Sequence, residues 1–342
     1  MENSLYIINN EKCFRNNGKT FCENIEIKLL AEDLKKYFNL KLILRRSKRQ
    51  SVHEINNSQI SISSNIISFL IRIFLSIFDK NSKYLLISVT PYTFLSSILL
   101  FIFRKKTFLY LRSDGKKEID LILGKKYLFI YKFMENFMVK YSKVITVNNE
   151  ILKNKDYKLV NPSSIDDSWF KNTSYPDLNK IKILYVGRLK IEKGVHYLTQ
   201  IFSEFLDFRK DSILTLIGKG DEIKKTINQI KIVGAVSDKQ ELIKHFDNHN
   251  IVILPSFTEG HPRVLIESLA RKRPIIIFDD ISHIKKNFHG VYICKRNIKS
   301  FASTIDQIIK NYNDIQKEME KNILPTKEKF ILQLIKIIKN EY

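Results

Sequence analysis

Cysteine is scarce in this 342-residue chain: Cys13, Cys22 and Cys294 are the only three. Their odd number and irregular spacing suit neither a disulfide framework nor a zinc motif, so a reducing cytoplasm is the expected compartment. Acidic residues are also short, 36 against 58 Lys and Arg, which leaves a formal net charge of +22. Such an excess points to anionic partners: nucleic acid, an anionic membrane surface or phosphorylated substrates. The surplus is +12 before residue 170 and +10 after it. No basic tail or arm carries it, so no nucleic acid is expected as a partner. The start, Met1-Glu2-Asn3-Ser4, lacks a basic segment followed by a long apolar one, and no secretory signal is read there. No internal repeat is visible, and the composition is biased only toward Ile, Lys and Asn.

Long uncharged runs are few. Residues 85–103 form one, about the length of a membrane span. Pro91 divides it, and Ser88, Thr90, Ser96 and Ser97 dilute it. A buried strand over 85–89 and a helix over 93–103 are expected instead of a span. Residues 66–78, interrupted by Arg72, read as a core-facing helix, with contact to a bilayer as the alternative.

What the chain does have is a globular composition, 44% hydrophobic and 27% charged, and length for two domains of roughly 150 residues each. Short β-branched runs alternate with helical patterns throughout. Strands are expected at 5–8, 40–44, 85–89, 107–111 and 144–147, with a helix over 23–37. Further strands fall at 181–186, 213–217, 251–254 and 274–278, with weaker ones near Ile232 and Val291. A loop-rich stretch over 161–180 divides the alternation into halves. The expected fold is α/β: two doubly wound, Rossmann-like parallel-sheet domains facing across a cleft. Ligands in such folds sit beyond the carboxyl ends of the strands.

Three loops in those places carry chemistry. In Gly187-Arg188-Leu189-Lys190-Ile191-Glu192-Lys193-Gly194, Arg188 ends a strand and Lys193-Gly194 opens a helix. Two cations at a helix start suit a diphosphate, although a solvated turn reads the same way. Gly218-Lys219-Gly220-Asp221 would let backbone approach a ligand, and turn geometry explains it equally well. The third loop holds Glu259-Gly260-His261-Pro262 and leads into a helix bearing Glu267. Pro262 suits the first helical turn, and N–H groups over 261–265 add anion-binding capacity. Glu267, between Ile266 and Leu269, either faces solvent or needs a hydrogen-bonding partner such as ribose hydroxyls.

In this order and spacing, the three loops resemble the retaining glycosyltransferases of GT-B fold known as group 1, or GT4. The likeness covers about 181–311, and Glu259…Glu267 matches the family's Glu-x7-Glu pattern. Asn17-Gly18-Lys19 and Val160-Asn161-Pro162 extend it more faintly into the first half. The resemblance implies an acceptor-binding domain over 1–165 and a nucleotide-sugar donor domain over 166–322. A terminal helix over 323–342 would cross back to the first domain. It casts Arg188 and Lys193 as diphosphate contacts that neutralise the leaving group, and Glu259 as a sugar-positioning and electrostatic residue, these three being the catalytic set. Glu267 would hold the ribose. Gly18, Gly187, Gly218 and Gly220, with the segment from Gly260 and His261 to Val264 and Leu265, would complete the donor site.

Asp-x-Asp, the usual metal signature of the other major glycosyltransferase fold, is missing. Asp166-Asp167 and Asp279-Asp280 are adjacent pairs. With cations and helix dipoles on the diphosphate, the resemblance implies neither metal nor cofactor. The chain departs from the family at Arg271-Lys272-Arg273, which stands before Pro274 where Ala-x-Gly-Lys/Arg-Pro is common, and at Ser268, where Ala is usual. Arg112-Ser113-Asp114-Gly115 replaces a frequent histidine region, which makes Arg112 and Asp114 acceptor-site candidates. His261 replaces an often aromatic residue. The expected function is sugar transfer to a lipid-linked or polysaccharide acceptor in cell-surface glycan synthesis. Basic runs such as Arg104-Lys105-Lys106 would suit peripheral contact with the inner membrane face. A nucleic-acid-binding protein and a GT-B nucleotide-sugar epimerase are the alternatives.

Overall fold

The computed structural model describes residues 4–56, 59–149, 151–152, 156–171, 173–220 and 227–339. The chain divides into two compact units, Met1–Pro162 with Glu328–Tyr342, and Ser163–Lys327. Each is α/β with a mainly parallel sheet.

The first unit contains β1 (Ser4–Asn16), β2 (Lys19–Cys22), β3 (Asn39–Arg46), β4 (His53–Ile55) and β5 (Ile60–Ser63). It continues with β6 (Lys83–Ile87), β7 (Lys106–Leu111), β8 (Lys143–Thr146) and β9 (Lys158–Leu159). The parallel order is β5-β3-β1-β6-β7-β8-β9, and β2 and β4 extend the far end of β1 antiparallel. Leu5, Ile7 and Ile8 are fully buried, which is why their run is legible as a central strand. The strand does not stop at residue 8 as expected. It passes through polar Asn9–Lys12 with a register shift and turns at Asn17-Gly18. Asn17 (φ 46°) and Gly18 (φ 76°) both have positive φ, the two-residue geometry that matches hairpin twist.

The uncharged run 85–103 forms β6 and a helix, Pro91–Ile102, whose Thr90 and Thr93 make a reciprocal capping box. Among the described residues, no helix is long and apolar enough to cross a membrane. The helix Ile66–Ile77 does face the core through Phe69, Ile73 and Ile77, but its opposite side is apolar as well. The terminal helix Lys327–Lys339 belongs to this unit, and Phe330, Ile331, Leu334, Ile335, Ile337 and Ile338 join its core. Lys83 Nζ donates to the Ile338 carbonyl at 2.8 Å.

The second unit contains β10 (Lys182–Val186), β11 (Ile213–Ile217), β12 (Ile230–Gly234), β13 (Ile251–Leu254), β14 (Ile275–Phe278) and β15 (Val291–Cys294). Their order, β12-β11-β10-β13-β14-β15, is wholly parallel. Sequence order reverses direction between β10 and β13. The loops after those two strands therefore meet at the switch point where doubly wound sheets bind ligands.

Arg271 and Arg273, the departure before Pro274, are buried, and they knot this unit together. Arg271 grips Asp247 through Nε and Nη2 at 2.9 and 2.8 Å and donates to the Trp169 and Lys171 carbonyls. Arg273 donates to five carbonyls, those of Phe246, His249, Arg271, Ser174 and Asp247. Arg273→Leu would strip those carbonyls of their donor, at a cost of at least ~3 kcal/mol. Thermal unfolding should begin on the order of 10 °C lower. Calorimetry checks this.

His249 is a second buried polar centre. Its Nδ1–H donates to the His245 carbonyl at 2.6 Å, and Nε2 accepts from the Thr215 hydroxyl at 2.8 Å. Burial depresses the imidazole from 6.5 to about 4. The unfolded chain takes up this proton below about pH 6.5, the folded chain only near pH 4. The contribution is whole above pH 6.5 and fades as pH falls toward 4, by about 3 kcal/mol in all. Urea unfolding of the wild type between pH 7 and 4.5 should show this loss, and His249→Gln should remove it from the pH dependence.

Candidate functional site

The loop after β10 folds back on itself before its helix. Gly187 N–H and Leu189 N–H donate to the Ile217 and Lys219 carbonyls, both at 2.9 Å, which pins this loop beside the one after β11. A Cβ on Gly218 would overlap the Gly187 carbonyl oxygen, and one on Gly220 the Leu189 carbonyl oxygen. These two glycines thus serve close approach between loops. Asp221 lies outside the described residues. The turn ends at Gly194, where φ is +67° and a Cβ would overlap the Pro255 carbonyl oxygen. Glycine is required there both by the left-handed backbone and by the neighbouring loop. Helix Val195–Phe205 follows at once.

The loop after β13 comes to the same place. Phe257 N–H donates to the Glu192 carbonyl at 3.1 Å, and Lys193 Nζ meets Glu259 Oε1 at 2.6 Å. Ser256 Oγ donates to the same carboxylate oxygen at 2.7 Å. The Lys193 and Glu259 side chains are largely buried, so the pair is shielded from water. Arg188 is different. Its side chain is 61% exposed and only loosely associated with Glu192, at 3.5 Å. Its backbone is fixed from below, because the buried Tyr185 hydroxyl donates to the Arg188 carbonyl at 2.7 Å. Burial raises the Tyr185 pKa, so it stays a phenol.

Pro262 stands just before helix Arg263–Ala270, at its N-cap and not inside its first turn. The Leu265 N–H is bonded to the Pro262 carbonyl at 3.2 Å, so that donor of the 261–265 group is engaged. The Val264 and Leu265 side chains are buried in the core. Glu267 is 3% exposed, which excludes the solvent-facing alternative. Ser164 Oγ donates to its Oε1 at 2.7 Å, and Arg263 Nη2 lies 3.7 Å away.

Arg296, Ser256, Ser164 and His283 are absent from the sequence-derived set. Arg296 lies over Phe257, Phe278 and Tyr197, at 4.1, 4.5 and 5.2 Å from the ring centroids. Its Nη2 donates to the Pro255 and Ser256 carbonyls, and its Nε to Asp280 at 2.6 Å. His283 Nε2 donates to the Glu259 carbonyl at 2.9 Å. Together they hold the loop that presents Glu259. Nothing in Lys295-Arg296-Asn297 distinguishes this arginine from a solvated one, because its partners come from three separate segments. Arg296→Lys keeps the charge but loses the two-carbonyl grip. Amide exchange over 255–262 should then accelerate about tenfold or more, as measured by hydrogen-exchange mass spectrometry.

In the first unit, Arg112 Nη1 pairs with Glu26 Oε2 at 2.9 Å, and the Tyr110 hydroxyl donates to Glu26 Oε1 at 2.9 Å. The Arg112 Nε is buried with no partner among the described residues. Asp114 caps helix Gly115–Leu123, accepting from Lys116 and Lys117 N–H. The acceptor candidates are thus engaged in ion pairing and capping. Gly18 sits at its hairpin turn, with open space where a Cβ would be. Cys13 and Cys22 oppose each other across β1 and β2, and burial raises both thiols, Cys22 to about 12, so neither is a nucleophile.

Residues 168–324 match the family described as "Glycosyl transferases group 1". An uncharacterized glycosyltransferase of Haemophilus influenzae is 25% identical over 205 residues, 57% of this chain and 52% of that protein. The capsular polysaccharide biosynthesis glycosyltransferase CapM of Staphylococcus aureus is 26% identical over 176 residues, 48% of this chain and 41% of that one. These matches span about half or less of the relatives' length. Anabaena HepE, solved with UDP and glucose, superposes with a TM-score of 0.70 at 11% identity over 99% of this chain and all of that one. That likeness identifies the fold as GT-B.

Proposed function

With residues 168–324 belonging to the group 1 glycosyltransferases, we propose that this protein transfers a sugar from a nucleotide donor to a polysaccharide or lipid-linked acceptor in the cytoplasm. The relative CapM is named for capsular polysaccharide biosynthesis, which supports surface-glycan assembly as the pathway class. The observation that carries the reading is the convergence of Arg188, Lys193 and Glu259 at the switch point of the second sheet. The exposed Arg188 guanidinium is available to a diphosphate, with five donors in a geometry that suits phosphate oxygens. Lys193 reaches the same ligand by sharing its ammonium between Glu259 and phosphate.

In the proposed reaction the anomeric carbon–phosphate oxygen bond breaks, and the acceptor oxygen bonds the same carbon on the vacated face. The acceptor proton passes to the leaving phosphate oxygen, so configuration is retained and no protein base is required. Arg188 and Lys193 neutralise the charge gathering on the diphosphate, the task for which positioned cations serve best. No metal is required in this scheme. Glu259, fixed by Lys193 and Ser256, positions the sugar, and Glu267 offers its carboxylate to ribose hydroxyls.

Ligand-observed NMR with UDP-, GDP- and ADP-sugars should show one nucleotide class binding, and UDP-glucose is the first probe because HepE was solved with UDP and glucose. Arg188→Ala with Lys193→Ala should abolish that signal and lower transfer by a factor of at least about 100, with the circular dichroism unchanged. Undiminished donor binding and transfer in the double variant would overturn the diphosphate assignment.

A further inference from the structure

We propose that the outer face of three helices in the first unit, Ile66–Ile77, Pro91–Ile102 and Leu128–Tyr141, docks in the interfacial plane of an anionic lipid bilayer. The purpose of such docking rests on the lipid-linked acceptor of the preceding reading, but its physical basis is separate.

On the first helix and its C-cap, Ile67, Ile71, Leu75 and Phe78 recur at intervals of three and four residues and are 53–69% exposed. They form one stripe. The opposite stripe, Phe69, Ile73 and Ile77, is already buried in the core. A surface helix ordinarily carries polar residues where this one carries its second apolar stripe. Exposed Phe74 continues the surface to Phe103, with ring centroids 5.8 Å apart, beyond the end of the second helix. On the same helix Phe101 meets Phe137 at 5.9 Å, and Phe94 meets Phe133 at 5.9 Å, which carries the surface to the third. There Phe133 is 61% exposed, Ile130 53% and Phe129 80%. Large contiguous apolar surface of this kind is uncommon on a monomer and marks an interaction site.

Charge decides the partner. Residues 66–80, 91–106 and 115–143 hold twelve Lys and Arg but four Asp and Glu. Two of those acids are neutralised internally, Asp79 by Lys41 at 2.7 Å and Glu135 by Lys116 at 2.6 Å. The remaining field is cationic, with Lys80, Arg104, Lys125, Lys126, Lys132 and Lys140 all exposed. A second copy of the same face would bring cations against cations. Anionic headgroups meet them instead, while aromatic and aliphatic side chains enter the headgroup–acyl boundary. None of the described helices can span a membrane, so the contact is parallel to it.

The test uses the full chain and sedimentation with phosphatidylcholine vesicles, with and without 30 mol% phosphatidylglycerol. Binding should require the anionic lipid and weaken about tenfold or more in high salt. Ile71→Ser with Phe129→Ser should weaken it to a similar degree, while the melting temperature stays put. Phe129→Trp should emit further to the blue on vesicles and be quenched by brominated acyl chains. Binding that is indifferent to the serine substitutions, or a tryptophan that stays in water, would overturn the proposal. So would a lipid-free dimer that the same serines dissolve, since it assigns the face to a second copy. No sugar nucleotide enters these assays. Their failure leaves the transfer reading standing, and absent donor binding leaves the docking face standing.

Discussion

The 2.6 Å contact between Lys193 and Glu259 joins two loops that chain connectivity keeps 66 residues apart. It forms where sequence order reverses across the second sheet, so the topology delivers the two side chains and the ion pair locks them. Breaking a shielded pair of this kind leaves one charge poorly solvated, and the loops are thereby held to one arrangement. Gly194 permits the approach by having no Cβ to strike Pro255. Arg296 reinforces it from the opposite side through the Pro255 and Ser256 carbonyls. Arg188, outside this lock, is the cation left to reach into solvent. The site is thus built as one shielded charge pair with an exposed cation beside it.

Much of the fold was legible because buried parallel strands are written in uninterrupted Ile, Leu and Val. β11 and β13 fall at 213–217 and 251–254 as expected, and β10 differs by one residue at its start. The second half of β1 is hidden in the sequence because Asn9–Lys12 interrupts the apolar run, although the hairpin turn Asn17-Gly18 carries a signal of its own. β2, β4, β5 and β9 are interrupted by polar or charged residues (Lys19 and Thr20, His53 and Glu54, Ser61 and Ser63, Lys158), so no uninterrupted apolar run marks them. Their existence depends on neighbours, not on their own composition.

The site divides in the same way. Arg188, Lys193, Glu259 and Glu267 could be singled out because each lies on or just after a loop that leaves a strand's carboxyl end. Their partners could not. The pairing of Lys193 with Glu259 and of Glu267 with Ser164 spans 66 and 103 residues, and no local pattern records it. The arginines before Pro274 looked like a departure at a turn, whereas burial makes them the clamp on the segment 169–174. Cations in so basic a chain look alike until burial separates the structural ones from the solvated ones.

Six core side chains of the first unit come from residues 330–338, beyond the whole of the second unit. During synthesis the ribosome must therefore complete the second unit's sheet before the core of the first unit can be sealed. The second unit has its described strands in hand by residue 294 and the last of its core side chains by Met319, before the terminal helix is made. The first must wait, with Val160 and its parallel strands lacking their covering helix. The order of maturation is then the reverse of the order of translation, and the last turns of helix to be made are the ones that close the earliest part of the chain.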